Sequence, residues 1–267
     1  MRRRKGVTLV EAMLAMALFG LLSLALAQAV REASKIWRRS TGETTARLSL
    51  RQTQRKISGD LSAGAMAQIS VTTGPIQLAS GGRNGDAVWC LSAVDPATGD
   101  FRRKSNGSPF FQNNVLYYLA VPTQHAQLYG MTCNGFRDSN GYDQGCPHKV
   151  LIRKVIDFGT PTVASDESSE EALMTVTEIS AYLTRPAGLS VTSMQSEAGV
   201  RGVSLAAASL ISLKALKGAL AGAQSVELDA SALSLLDAQR TLRVGSVNLE
   251  DTDFTTHLKF TATAGLP

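Results

Sequence analysis

Histidine is scarce in this chain: there are three in 267 residues, and His125, His148 and His257 lie far apart in the sequence. They form no triad order and no G-x-S-x-G elbow accompanies them, so the common hydrolase arrangements have no foothold. Cysteine is equally sparse, at three. Cys133, Cys146 and His148 supply part of a zinc set, but a fourth ligand is missing and the spacing is not that of a zinc ribbon. The body of the chain also lacks excess positive charge. Although the net formal charge is +5, residues 61–267 carry fifteen Lys/Arg against eighteen Asp/Glu. A nucleic-acid surface is therefore not expected in the globular part. No catalytic residue, metal or cofactor is expected either, and the chain reads as non-enzymatic.

What cations there are crowd around one hydrophobic run. Arg2, Arg3, Arg4 and Lys5 precede it, and residues 31–60 carry eight Lys/Arg against three Asp/Glu. The run itself, Val7 to Val30, is 24 residues with a single formal charge, Glu11. As a helix it would be about 36 Å long, enough to cross a hydrocarbon core of ~30 Å with some tilt. The basic start keeps the leader on the cytoplasmic side and puts the rest of the chain outside. A plain signal anchor satisfies these facts. So does a secretory signal peptide, for which Ala25-Leu26-Ala27 and Ala27-Gln28-Ala29 offer A-x-A sites. Neither accounts for Glu11, because a carboxylate in the membrane is costly without a partner.

Cleavage after Gly6 would supply one. Val7 would then carry an α-amine, mostly protonated at neutral pH, one helical turn from Glu11. A carboxylate in the first turn also suits the positive end of the helix dipole.

The stretch Lys5-Gly6-Val7-Thr8-Leu9-Val10-Glu11 resembles the class III signal of type IV prepilins and type II secretion pseudopilins. That signal is a short basic leader ending in Gly, then a hydrophobic residue, Thr-Leu, an aliphatic residue and Glu. The resemblance implies that a prepilin peptidase removes Met1–Gly6 and N-methylates Val7, and that Glu11 guides subunits into a filament. It implies as partners other pilin or pseudopilin subunits, an inner-membrane assembly platform and the membrane itself. The expected location is the bacterial inner membrane, crossed once, with the N-terminus cytoplasmic and the C-terminal domain periplasmic until assembly. Val7 stands where the family most often has Phe, and Gln28 where many major pilins place a kinking Pro. With the size of the chain, Gln28 points to a minor pilin or minor pseudopilin. The alternative is a membrane-anchored or secreted ligand-binding domain.

Beyond the membrane the helix is expected to continue, since Arg31 to Leu61 contains no proline. Ala33, Trp37, Thr41, Thr44 and Leu48, then Leu50, Ile57 and Leu61, recur at spacings that suit one helix face. Gly42 and Gly59 weaken it by roughly 1 kcal/mol each. After residue 63 the pattern changes to short apolar runs between turn residues. Strands are expected at 87–94, 115–121 and 149–156, with later ones at 200–212, 225–229 and 256–263. KVLIRKVI (149–156) is read as an edge strand with its charges in water, 229–243 as a helix capped by Asp229 or Ser231, and 164–171 as an exposed acidic loop or helix start.

The fold class is thus α+β, a long N-terminal hydrophobic helix continuing into a domain with an antiparallel sheet. The expected divisions are a cleaved leader 1–6, a transmembrane or filament-core helix 7–30, an amphipathic extension 31–61 and a globular domain 62–267. Within that domain Cys133 and Cys146 bracket a polar, glycine-rich loop that a disulfide would stabilise by roughly 3 kcal/mol in an oxidising compartment. Cys90 reads as a buried thiol. Asp138, Asn140 and Asp143 place oxygen ligands in the same loop, a weak calcium possibility beside a plain Asn-Gly turn. GGRNG (81–85) is a turn.

Overall fold

A computed structural model describes residues 8–71, 85–129, 146–163, 165–220, 223–234 and 255–264. Its first element, α1, runs unbroken from Leu9 to Ala63. With no proline to interrupt its hydrogen-bond ladder, it extends over about 80 Å. Apart from Ala12, every residue from Leu9 to Ser40 is exposed. Burial starts at Gly42 and follows one face through Ala46, Ser49, Leu50, Thr53, Ile57 and Leu61. The expected face is correct at Leu50, Ile57 and Leu61 and wrong before them. Trp37 and Leu48 are 66% and 57% exposed. Residue size decides this, because small side chains at Gly42, Ala46 and Ser49 let the helix lie close to the sheet.

Among the described residues seven strands follow: β1 (Gly64–Val71), β2 (Val88–Ser92), β3 (Asn113–Ala120), β4 (Lys149–Ile156), β5 (Val200–Leu220), β6 (Ala223–Leu233) and β7 (Thr255–Thr263). They form one sheet in sequence order, antiparallel throughout. The sheet curls, bringing β1 against β5 and β6. Ile69 N–H donates to Gln224 Oε1 across that approach at 3.0 Å. The C-terminal half of α1 packs on the inner face, mostly against β5, β6 and β7. β1 follows α1 directly and is not among the expected strands.

Alternation along β3 shows how both faces are used. Val115, Tyr117 and Leu119 join Leu50, Ile57 and Leu61 in the core around α1, while Leu116, Tyr118 and Ala120 point the other way. That second face is covered by the connection between β4 and β5, which carries α3 (Val176–Ser180) and α4 (Thr192–Gln195) and contributes Met174, Ile179, Leu183 and Met194. Trp89 Nε1 donates to the Met174 carbonyl (2.8 Å) and the Tyr118 hydroxyl to that of Thr184 (2.7 Å).

This double cover overturns the edge reading of KVLIRKVI. β4 is the fourth of seven strands, and Lys149 and Lys154 are fully buried. Lys154 Nζ donates to Tyr182 O (2.7 Å), Thr184 Oγ1 (2.9 Å) and Glu197 (2.6 Å), and Lys149 Nζ to the Ile211 carbonyl. The Lys154 ammonium persists in the interior because it is paired with Glu197 and hydrogen-bonded, and that of Lys149 is held by a carbonyl. The helix expected from residue 229 is also overturned, since 223–233 is strand β6. Val226, Leu228, Ala230 and Ala232 alternate into the core, β5 and β7 flank both edges, and Asp229 sits opposite Lys214 and Lys259. Backbone pairing on two sides outweighs the helix propensity of Ala and Leu. Residues 235–243 lie outside the described residues. In the acidic stretch, Glu167–Ser169 forms a short 3-10 turn capped by the Asp166 side chain, whereas Glu171 is buried.

One polar clamp joins helix to sheet. Asp60, in the last turn of α1, accepts from Arg153 Nε (2.5 Å) and Nη2 (3.2 Å) on β4 and from the Tyr117 hydroxyl on β3. That hydroxyl also lies 3.0 Å from the Lys56 carbonyl.

Candidate functional site: the uncovered N-terminal helix

The start of α1 is held by side chains. The Thr8 carbonyl accepts the first helical bond, from Ala12 N–H (3.1 Å), which makes Thr8 the N-cap. Glu11 N–H donates to Thr8 Oγ1 (3.3 Å), and Glu11 Oε2 accepts from Thr8 N–H (2.8 Å) and from the Thr8 hydroxyl (3.0 Å). This is a reciprocal capping box, which satisfies donors that a helix start leaves orphaned. The same T-x-x-E device opens α3, where Thr175 and Glu178 exchange the equivalent bonds. Glu11 therefore has a local partner that sequence reasoning missed. The signal was the T-x-x-E spacing of Thr8 and Glu11 itself.

Downstream of the cap, α1 presents apolar side chains in every direction. Leu9, Val10, Met13, Leu14, Met16, Leu18, Phe19, Leu21 and Leu22 are each 59% to 78% exposed. The segment has a mean hydropathy of 2.2, and α1 is long and apolar enough to cross a membrane. A surface of this kind is far larger than the apolar patches of soluble monomers. Cations follow it, and Lys35 pairs with Glu32 at 2.8 Å on the exposed helix.

Lys5, Gly6 and Val7, the expected processing residues, lie outside the described residues, as do Cys133, Asp138, Asn140, Asp143 and residues 81–84 of the GGRNG turn. Cys146 is buried and disulfide-bonded. Cys90 is a free, buried thiol on β2, its pKa pushed up to about 12, chiefly by burial. Phe110, Tyr117 and Tyr118 are core residues.

Two of the scattered histidines meet. His125 opens the short helix α2 (His125–Tyr129), just past the end of β3, and His148 stands just before β4. Because β3 and β4 pair with Ala120 opposite Val150, these two positions fall at the same end of the sheet. His125 Nε2 lies 3.0 Å from His148 Nδ1 and 3.5 Å from Cys146 Sγ. Tyr129 stacks on the His148 ring at 4.0 Å. Desolvation, helped by the neighbouring His125, lowers the His148 pKa to about 4, so the ring is neutral at physiological pH. The usable signal was that both histidines flank the two expected strands 115–121 and 149–156. Elsewhere a groove of about 420 Å³ is lined by Asp86, Lys214, Glu227, Asp229 and Lys259 among others, a mixed-sign lining that selects no ligand charge.

Comparison with known families gives one match, over residues 1–27, to the family described as the prokaryotic N-terminal methylation motif. No curated protein and no solved structure matches the chain. The chain thus carries a prepilin-type methylation motif on a membrane-length helix that continues into a domain of pilin-like α+β architecture, consistent with the type IV pilin and pseudopilin superfamily.

Proposed function

We propose that this protein is a structural subunit, a minor pilin or minor pseudopilin, of a type IV pilus-like filament or a type II secretion pseudopilus. The observation that carries the reading is the joint one at the N-terminus. A methylation motif leads into a helix whose first 32 residues, Leu9 to Ser40, are exposed among the described residues apart from the half-buried Ala12. Such a segment is stored in lipid and, once processed, finds its second environment among copies of itself. Residues 7–30 are the membrane and filament-core part, and the curled sheet forms the filament surface.

In this reading a prepilin peptidase cuts between Gly6 and Val7 on the cytoplasmic side and methylates Val7, and an inner-membrane platform extracts the subunit. Glu11 then has two tasks. Its carboxylate caps α1 through Thr8, and its charge meets a positive N-terminus, either its own or that of an adjacent subunit with an axial offset. The Asp60 clamp holds the spine at a set angle to the domain, so packing of the helices places the outer surfaces.

The test is the N-terminal mass of the protein purified from its own membranes. N-methyl-Val7 as the first residue is expected. An intact Met1 would overturn processing and leave a signal anchor, and a start at Gln28 or Val30 would make the chain a secreted domain.

A further inference from the structure

We propose that His125, His148 and Cys146 form a binding site for a tetrahedral divalent metal ion of the zinc class in the thiol form of the chain, with the disulfide at Cys146 as the competing state. The site goes beyond the filament reading and does not depend on it.

The geometry is that of a ligand set. In tetrahedral zinc sites the metal–nitrogen distance of about 2.0–2.1 Å and metal–sulfur distance of about 2.3 Å place two nitrogens roughly 3.3 Å apart and nitrogen and sulfur roughly 3.5 Å apart. Here His125 Nε2 and His148 Nδ1 are separated by 3.0 Å, and His125 Nε2 and Cys146 Sγ by 3.5 Å. All three donor atoms lie within 4.8 Å of one another. The two His125 separations lie within a few tenths of an ångström of those a tetrahedral zinc ion would set.

The surroundings favour binding. All three residues are buried, at 5%, 0% and 0% exposure for His125, Cys146 and His148. Tyr129 stacks on His148 and sits 4.9 Å from the His125 ring, fixing both imidazoles. His148 Nε2 is a buried nitrogen without a hydrogen-bond partner, so the Nδ1 contact is what orients this ring. Two imidazole nitrogens facing each other at this distance share only one proton along that line. A cation between them uses both lone pairs instead.

The sulfur sets the condition. In the disulfide, Cys146 Sγ is not a thiolate and cannot complete the set, so metal and disulfide exclude one another. Every chain passes through the thiol form before the bridge closes. In the test, a trialkylphosphine regenerates it. The S–S bond breaks, phosphorus supplies two electrons and takes the oxygen of one water as phosphine oxide, and the water protons end on the two thiols. Metal binding then displaces the proton of Cys146.

The experiment uses the full chain in detergent micelles, reduced with the phosphine and titrated with Co²⁺, then Zn²⁺. The expected result is a thiolate-to-cobalt charge-transfer band with tetrahedral d–d absorption, both bleached by about one equivalent of Zn²⁺. The disulfide form should give neither. His148→Ala and His125→Ala should each weaken Co²⁺ binding at least tenfold, whereas Cys90→Ala should not, with circular dichroism of the metal-free variants checking their fold. Zn²⁺ should also slow reoxidation of the reduced wild type but not of His148→Ala. The proposal is overturned if the reduced wild type shows no charge-transfer band, a result that needs no variant to fold. It is overturned equally if the band survives both histidine substitutions, or if the disulfide form takes up the metal equally well.

Discussion

Removing the Asp60 carboxylate tests whether the α1 spine is fastened to the sheet by the clamp or only by apolar packing. Asp60 and Arg153 are each 26% exposed at the side chain, so the pair lies between two limits. Breaking a fully buried pair costs ~3–5 kcal/mol, because the remaining charge is stranded, while exposed pairs contribute ~0–1 kcal/mol. Weighting for a quarter exposure gives about 2–4 kcal/mol for Asp60→Ala. Tyr117 adds little, since its hydroxyl keeps the Lys56 carbonyl. Asp60→Asn should lose about half as much, having kept an acceptor but no charge. Adding Arg153→Met to Asp60→Ala should recover part of the loss, because it removes the stranded cation. Urea unfolding followed by tryptophan fluorescence reads this cleanly. Of the two tryptophans, Trp89 is buried in β2 and Trp37 is exposed on the helix, so the change in signal reports the domain. In heat the same loss is a fall of roughly 5–10 °C. A loss under about 0.5 kcal/mol, with no recovery in the double variant, would refute the clamp, since exposed pairs already reach that size.

Glu11→Gln separates the two tasks of that residue, because a glutamine can replace glutamate in a capping box while carrying no charge. It should insert in the membrane normally and fail to form sheared filaments; normal assembly would mean that capping alone is needed. Burial raises the Glu171 pKa from 4.5 to about 7, so the native state holds its proton more tightly than the unfolded chain does. The stabilisation is complete below about pH 4.5 and is lost as pH rises through 7. The melting temperature of the wild type should therefore drop across that window relative to Glu171→Gln, and parallel profiles would contradict it. Lys154→Ala should cost about 3 kcal/mol by stranding Glu197 in a largely buried site, and adding Glu197→Gln should restore part of it in urea titrations. Gly199 has φ of +75°, and an added Cβ would meet the Asp157 carbonyl oxygen at 2.6 Å. Gly199→Ala should lose at least about 2 kcal/mol, and an unchanged melting temperature would show that the turn can relax.

The sequence by itself determined what depends on neighbours along the chain. A proline-free apolar run made α1 and its membrane length legible, and the frame Gly6 to Glu11 made the methylation motif legible. Short apolar runs between turn residues located β2, β3 and β4 to within two residues, because strands buried on both faces need side chains that avoid water on both. Thr8 and Glu11 also stand at capping-box spacing, a local signal that the charge reading of Glu11 passed over. Tertiary structure decided the rest. Lys154 looks solvent-facing until the connection from β4 to β5 closes over it, and Lys149 until its ammonium reaches the Ile211 carbonyl on β5. Residues 229–233 look helical until β5 and β7 offer their backbones. Gly42, a helix-weakening residue taken alone, becomes part of the face that meets the sheet. His125 and His148 are separated by 22 residues in sequence and come within 3.0 Å because a hairpin register puts their flanking positions at one sheet end. Such placements depend on which distant segment supplies cover or a hydrogen-bond partner, and local composition carries no record of that partner.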